Sequence, residues 1–268
     1  MKERNEMNFA DAHERRKRRR FYLAILSVVF AIYLVLLGGL WIILKSPVFL
    51  LKSISLTGNE TTPSNGILDV VRGRALQGKW RGVKAVLGFG NMLTWPSGPM
   101  DNPSLFLPRV KNITIENNYA SRSIVVHIEE RVPYGIWCLE SQCWWFDDGG
   151  FIFRRAIEAS GGLILTVHDH SQKNLGLGLK ILPDVFIANA FSVFRVLEMS
   201  GLGLKDIALQ DLSLQELEVN VRNGPALYFS LRFPADNDLA AIQNFAAKPG
   251  FDKLQYLDFR VENRVYYK

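Results

Sequence analysis

The segment from Phe21 to Leu44, FYLAILSVVFAIYLVLLGGLWIIL, contains no charged side chain. At about 1.5 Å of rise per residue, a helix of this length extends roughly 36 Å and can cross a hydrocarbon core of about 30 Å. A cleaved signal peptide has a shorter apolar region and small residues at its cleavage site, whereas this segment ends in Trp41-Ile-Ile-Leu-Lys45. The alternative is a buried core helix, but a helix of this length in a soluble protein would show a polar side. The sequence therefore predicts an uncleaved transmembrane helix over residues 21–44.

Basic residues on one side of this segment predict its orientation. Six of them precede it directly: Arg15, Arg16, Lys17, Arg18, Arg19 and Arg20. Only Lys45 and Lys52 follow it closely. Because positively charged residues stay on the cytoplasmic side, we expect residues 1–20 to form a cytoplasmic tail and the bulk of the chain to lie outside. The predicted location is the cytoplasmic (inner) membrane, with a single pass.

The net charge of +6 comes mostly from this tail. Residues 1–20 hold eight basic and four acidic side chains, a net charge of +4, and the remaining basic residues are scattered. A basic cluster beside a membrane span sets orientation and attracts anionic headgroups. We therefore predict no nucleic-acid partner.

The first part of the outer region shows a β-α-α-β-β pattern of short elements. Its predicted strands and helices are Val48–Thr57, Ser64–Val71, Pro103–Leu107, Arg109–Glu116 and Ser123–Glu129. The glycine- and tryptophan-rich segment from Gln77 to Asp101 has little periodicity, so we expect it to be irregular. We assign this domain to residues 45–132.

The second part, residues 133–268, is dominated by strand patterns. Its clearest helix is predicted from Pro183 to Met199, where an apolar stripe repeats every 3.6 residues. A further helix is expected at Asn237–Ala247, followed by a terminal strand or strands within Leu254–Lys268. Since most strands follow one another directly, mainly antiparallel pairing is expected. The predicted fold class is α+β.

Cys138 and Cys143 flank the short polar segment Leu-Glu-Ser-Gln between two aromatic, strand-like runs. A hairpin here would place the two cysteines opposite each other, near enough for a disulfide. Free thiols are the alternative; a zinc site would need further ligands, and no second CxxC or nearby histidine pair provides them.

Two other polar clusters are explained more simply by turns and loops than by catalysis or metal binding. Asp147-Asp148-Gly149-Gly150 is typical of a hairpin turn, and His168-Asp169-His170 of an exposed loop. We therefore predict no catalytic, cofactor-binding or metal-binding residue and no small-molecule substrate.

Four sequence blocks resemble the bacterial cell-division family FtsQ, called DivIB in Gram-positive organisms. They are Ile54–Asn59, Val126–Pro133, Phe146–Phe153 and Tyr256–Arg260, and they occur in the family's order behind an N-in anchor. The resemblance implies a POTRA domain at residues 45–132 and a β-rich domain at 133–268. It also implies a non-enzymatic divisome scaffold that acts in septum formation and binds single-pass partners similar to FtsB and FtsL.

The C-terminal residues are β-prone and aromatic, as in strands that pair with a partner's strand. A terminal strand is commonly the edge of a sheet, and its free backbone groups can template another chain. The predicted partner-binding residues are Arg260, Val261, Asn263, Val265, Tyr266 and Tyr267. The alternative is that this strand lies inside the sheet with its tyrosines in the core.

Two other functions fit a single anchor with an outer domain. A sortase-like transpeptidase would need a nucleophilic cysteine with a histidine and an arginine, and Cys138 already has Cys143 as its expected partner. A POTRA-bearing translocation component would need repeated POTRA units, of which only one fits this chain.

Overall fold

The computed structural model describes residues 2–140, 142–158, 163–171 and 174–268. Its first element is a continuous helix, α1 (Lys2–Leu44), which extends through both the basic tail and the apolar segment. Within Lys17–Ile42, an 18-residue window reaches a mean hydropathy of 2.7, and none of that window is buried inside the protein. The described part of the chain thus has one helix that is long and apolar enough to span a membrane.

A four-stranded sheet and two helices follow α1. The elements are β1 (Ser53–Thr57), α2 (Ser64–Ala75), α3 (Arg81–Leu87), β2 (Gly98–Pro99), β3 (Val110–Asn118) and β4 (Ser123–Glu130). The strand order in the sheet is β1-β4-β3-β2. Alternate residues of β4 are fully or nearly fully buried, namely Ile124, Val126 and Ile128. This period of two is the pattern expected of a strand with one face in a core.

The second helix of this region is not where the sequence pattern indicated. Pro103–Leu105 forms only a single turn of 3-10 helix, whereas the segment predicted to be irregular contains α3 and β2. The pattern failed because Val83 and Val86 of α3 are exposed, so the helix has no buried stripe for periodicity to reveal. Gly88, at φ 70°, ends α3 in a conformation that glycine adopts without steric cost.

The rest of the chain forms a nine-stranded sheet with two helices. Its elements are β5 (Gly135–Leu139), β6 (Gln142–Phe146), β7 (Ile152–Ala156), β8 (Thr166–Asp169), α4 (Asp184–Ser200), β9 (Leu204–Leu209), β10 (Glu216–Val221), β11 (Ala226–Ser230), α5 (Leu239–Ala246), β12 (Tyr256–Val261) and β13 (Arg264–Tyr267). The strand order is β13-β12-β11-β10-β9-β8-β5-β6-β7. Single-turn 3-10 helices lie at Pro47–Phe49, Met92–Thr94, Pro103–Leu105, Leu212–Leu214, Asp236–Asp238 and Phe251–Lys253.

The large sheet is mixed rather than uniformly antiparallel. Among the described strands, five neighbouring pairs are antiparallel and three are parallel. Two of the parallel pairs, β8–β9 and β11–β12, are joined through α4 and α5 respectively. Two neighbouring parallel strands need such a crossover connection, because a simple hairpin would make the second strand antiparallel to the first.

One face of this sheet packs against α4 and α5. Phe194 of α4 and Ile242 of α5 are buried in the same cluster as Phe229 and Phe259, whose stacked rings have centroids 5.2 Å apart. Side chains that alternate with these along the strands point to the opposite face, which we call the open face.

The chain divides into two compact units, each of which consists of several segments. The first comprises Met1–Ser55, Leu68–Gly98 and Ile115–Val126; the second comprises Leu56–Ile67, Pro99–Thr114 and His127–Lys268. The sequence predicted that residues 45–132 and 133–268 form two domains that fold independently, and this assignment stays a prediction.

Arg131 and Asp147 form a buried ion pair in the second unit. Their side chains are only 5% and 2% exposed. The guanidinium also donates to Ser104 Oγ at 2.7 Å and lies over the Phe151 ring at 4.5 Å. The carboxylate of Asp147 accepts hydrogen bonds from the backbone N–H groups of Gly149 and Phe151, at 3.0 and 2.8 Å. The aspartate thus shapes the turn between β6 and β7 while it neutralises a buried cation.

We expect Asp147→Asn to lower the free energy of unfolding by about 3–5 kcal/mol, because it leaves the Arg131 charge buried and unpaired. Urea unfolding of the full chain in detergent measures this change. Asp148→Asn is the matched control: Asp148 is 69% exposed and pairs with Lys111 at 3.3 Å, so its loss should cost less than about 1 kcal/mol. Equal effects of the two substitutions would contradict the assigned role of the buried pair.

Candidate partner-binding edge

The C-terminal strand β13 is the outermost strand of the large sheet. It pairs antiparallel with β12, with Leu257 opposite Tyr267 and Asp258 opposite Tyr266. Within the described residues it has a strand neighbour on this one side only. Its other side therefore presents backbone groups that a further strand can bond.

The hydrogen bonds of Lys268 show which backbone groups of β13 face outward. Its C=O accepts from the Gln255 N–H and its N–H donates to the Tyr256 C=O, so Lys268 faces the sheet. Orientation alternates along an antiparallel strand. Tyr266 therefore also faces β12, whereas the backbone groups of Val265 and Tyr267 face away from it.

The terminal residues form two strands rather than one, so only part of the predicted site lies on the edge strand. Arg260 and Val261 lie on β12, one strand in from the edge, and Asn263 lies in the turn that joins β12 to β13. Asn263 has φ 58°, a left-handed conformation that asparagine tolerates better than most residues. Glu262 and Asn263 are residue types that strands disfavour and were a signal for the turn, but the β-prone residues on both sides favoured a single strand. Val265, Tyr266 and Tyr267 lie on the edge strand itself.

The two tyrosines extend from opposite faces of β13. Val265 packs against the core, and the Tyr267 ring lies 5.1 Å from Phe245 of α5, so both are on the helix side. Tyr266 is on the open face beside Asp258. They are 48% (Tyr266) and 61% (Tyr267) exposed. A strand added to β13 would therefore lie between two partly exposed aromatic rings, which are common anchors at interfaces.

Arg260 supports the edge from within the sheet. Its guanidinium donates to Asp258 at 2.8 and 2.6 Å and to Glu216 at 2.7 Å, and it lies 5.0 Å from the Tyr228 ring centroid. Asp258 and Arg260 are two residues apart and therefore lie on the same face of β12. The sequence gave no signal for the contacts with Glu216 and Tyr228, because these residues are close only in the folded sheet.

Hydrogen bonds from Arg260 hold the pKa of Asp258 below its ordinary value, although partial burial acts in the opposite direction. The pairing with Asp258, and then that with Glu216, raises the pKa of Arg260. Since the folded pKa of Asp258 lies below the unfolded one, this pairing stabilises the fold above the unfolded pKa. That contribution is lost as the pH falls through the folded value.

The opposite edge of the sheet is less accessible. The Ile152 N–H of β7 donates to the Leu179 C=O at 2.8 Å, and its C=O accepts from the Gly178 N–H at 2.8 Å. Further along β7, Arg154 and Arg155 place charges on the strand, a common feature of edges that avoid pairing. Of the two edges, β13 is the better template for a partner strand.

The structure pairs Cys138 with Cys143 in the β5–β6 hairpin. The two residues are direct neighbours in the register, and their sulfur atoms form a disulfide. They are 1% and 6% exposed and lie with Ile136 in a small apolar cluster on the open face. The disulfide thus fastens a hairpin and leaves neither thiol available as a nucleophile.

The other polar clusters are engaged in ordinary structural contacts. The prediction of an exposed loop at His168-Asp169-His170 is wrong, because His168 and Asp169 lie on β8 and Asp169 is only 1% exposed. His168 Nε2 lies 3.5 Å from the Asp206 carboxylate, and Asp169 accepts a hydrogen bond from Trp137 Nε1 at 3.0 Å. His168 and Asp206 help to line a cleft of about 730 Å³. Among the described residues, no group of three or more His, Cys, Asp or Glu side chains is arranged to hold a metal ion.

No protein-family model matches the chain, and no curated protein matches it either. The resemblance to FtsQ and DivIB therefore stays a prediction from the four sequence blocks.

Thiol labelling of the denatured, unreduced full chain tests the disulfide. We expect no reactive cysteine before reduction and two afterwards. Because the closed loop is short, replacing both cysteines by serine should cost about 2 kcal/mol of stability. Two reactive thiols before reduction would contradict the assignment, and reduction followed by relabelling provides the positive control.

Proposed function

We propose that this protein is a single-pass scaffold of the bacterial divisome, resembling FtsQ and DivIB. It holds other single-pass division proteins outside the cytoplasmic membrane during septum formation. The resemblance implies partners similar to FtsB and FtsL, a POTRA domain within residues 45–132, and no enzymatic activity. The observation that carries the proposal is the free edge of β13, which lies at the C-terminal end where the sequence predicted a partner-binding strand.

Two properties of this edge support partner binding by strand addition. The backbone groups of Val265 and Tyr267 face away from β12, so a partner strand gains hydrogen bonds without disturbing existing pairs. Tyr266 and Tyr267 supply aromatic area on both sides of the incoming strand. Behind them, Arg260 fixes β12 to Glu216 of β10, so the edge is held rigidly before binding.

The alternatives have less support from particular residues. A sortase-like enzyme requires a cysteine thiolate, whereas both cysteines are joined in a disulfide. Asp147, one of two acidic residues that are only 1% exposed in the described part of the chain, neutralises Arg131. A translocation component would need repeated POTRA units, and the four-stranded sheet forms one such region at most among the described residues.

Strand addition predicts that Val265→Pro abolishes capture of FtsB-like and FtsL-like partners, while the protein remains folded. Proline removes the outward N–H and obstructs the approach of a partner strand, and it is tolerated on edge strands whose N–H faces solvent. Val265→Ala is the matched control, because it removes the same side-chain packing but keeps the N–H. Affinity capture from membranes, with circular dichroism as a check on folding, measures the difference.

One outcome of the capture experiment would contradict strand addition at β13. If folded Val265→Pro and Val265→Ala proteins retain the same amount of the division partners, pairing along β13 is wrong.

Membrane topology provides a second test. Reporter fusions should place residues 1–20 in the cytoplasm and the region after Ser46 outside. Replacing Arg15–Arg20 with glutamine should impair or invert insertion, because the positive charges determine orientation. Replacing Lys45 and Lys52 with glutamine serves as the control and should leave the orientation unchanged. If a reporter that is active only in the cytoplasm gives a signal when fused to the C-terminus of the wild-type protein, the proposed anchor is refuted.

A further inference from the structure

The short helix α3 exposes an apolar side to solvent. Trp80, directly before its first residue, is 69% exposed, and Val83 and Val86 are 43% and 61% exposed. Residues three apart lie on the same side of a helix, so the three side chains form one surface. Exposed apolar surfaces that include a tryptophan are typical of sites that contact another molecule or a membrane.

The sequence around α3 is basic. No acidic residue occurs between Asp69 and Asp101. Over the same segment the basic residues are Arg72, Arg74, Lys79, Arg81 and Lys84. Lys84 donates to the Ala75 carbonyl at 3.0 Å, whereas Lys79 and Arg81 are exposed beside Trp80. The surface formed by Trp80, Val83 and Val86 therefore has positive charges at its border.

Direct bonds hold this region at the end of the apolar helix. Asn91 Nδ2 donates to the Leu44 carbonyl at 2.8 Å, and the Leu51 N–H donates to the Gly90 carbonyl at 2.9 Å. Asn91 is only 4% exposed, so this attachment is sheltered from solvent. Just three residues separate it from Leu87, the last residue of α3.

These distances place α3 at the membrane surface if α1 is the anchor. Asn91 lies at the depth of Leu44, where the apolar segment ends. Seven residues of helix extend about 10 Å, and the headgroup layer on each side of a bilayer is roughly 5–7 Å thick. Tryptophan favours this layer because its ring is amphipathic. The apolar side of α3 is thus within reach of lipid, and its basic border matches anionic headgroups.

We propose that Trp80, Val83 and Val86 of α3 dock on the outer leaflet of the membrane, with Lys79 and Arg81 contacting anionic phospholipid headgroups. This inference rests on the anchor in the proposed function. It assigns a role to the segment that the sequence indicated only as irregular. Docking gives the first unit a second attachment beside the helix and limits its rotation about the anchor.

Spin labels on the full chain in nanodiscs test the docking. Val86→Cys places the label on α3, and Asp69→Cys places a control label on the exposed side of α2 in the same unit. The native cysteines are joined in a disulfide, so an unreduced sample is labelled only at the introduced site. Collision rates with oxygen, which concentrates in lipid, are compared with those of a water-soluble nickel chelate. The nanodiscs contain either phosphatidylglycerol with phosphatidylethanolamine or phosphatidylcholine alone.

In the anionic nanodiscs, the label at position 86 should collide more with oxygen than with the chelate, and the label at position 69 should show the reverse. Substituting glutamine for Lys79 or Arg81 should lower the ratio of docked to undocked protein about five-fold for each residue, in line with the energy of one basic residue near an anionic surface. Phosphatidylcholine alone should weaken docking similarly.

Two results would overturn the inference. The first is that, in anionic nanodiscs, the chelate reaches the label at position 86 as readily as the label at position 69. In that case α3 does not contact lipid, and its exposed apolar side would be a site for a protein partner instead. The second is docking that neither the glutamine substitutions nor the lipid charge changes. Co-elution of the chain with nanodiscs reports the anchor separately; a chain that fails to incorporate would refute the anchor and this inference together.

Discussion

The parallel pairing of β12 with β11 is the constraint on which the proposed site depends. Leu227 lies opposite Leu257 and Phe229 opposite Phe259, and the crossover through α5 permits this direction. Because β12 is fixed on its inner side, the turn at Asn263 places β13 outside it, where no described strand follows. A hairpin connection at the same point would have made β12 antiparallel and changed the register of every later residue. The free edge is thus a consequence of the crossover.

Charge is used differently in the parts of this chain. In the second unit, Arg131 and Asp147 neutralise each other in a buried site. Arg260 joins β12 to β10 through Glu216 and also pairs with Asp258 on its own strand. In the N-terminal tail, six basic residues directly precede the apolar segment, and around α3 Lys79 and Arg81 are exposed beside Trp80. The overall charge of +6 is therefore a poor indicator of function, since position decides what each charge does.

Local patterns in the sequence were sufficient for some elements and not for others. The apolar stripe from Phe186 to Leu197 predicted α4 to within one residue at each end, although burial in the structure is wider than the stripe and includes every residue from Ala190 to Phe194. The turn at Asn263 was missed because the β-prone residues on both sides of it outweighed the turn preference of asparagine itself. The helix α3 was missed because it buries no stripe. The contacts of Arg260 with Glu216 and Tyr228 join residues far apart in sequence. Long-range pairing of this kind leaves no periodic signal.

Hydrogen exchange of the full chain in nanodiscs, without and with FtsB-like and FtsL-like partners, tests the central claim that β13 is a strand-pairing edge. We expect the amides of Val265 and Tyr267, which face away from β12, to exchange rapidly in the isolated protein and to become protected in the complex. The amide of Tyr266, which faces β12, should be protected in both states. Unchanged exchange at Val265 and Tyr267 in a saturated complex would contradict the account.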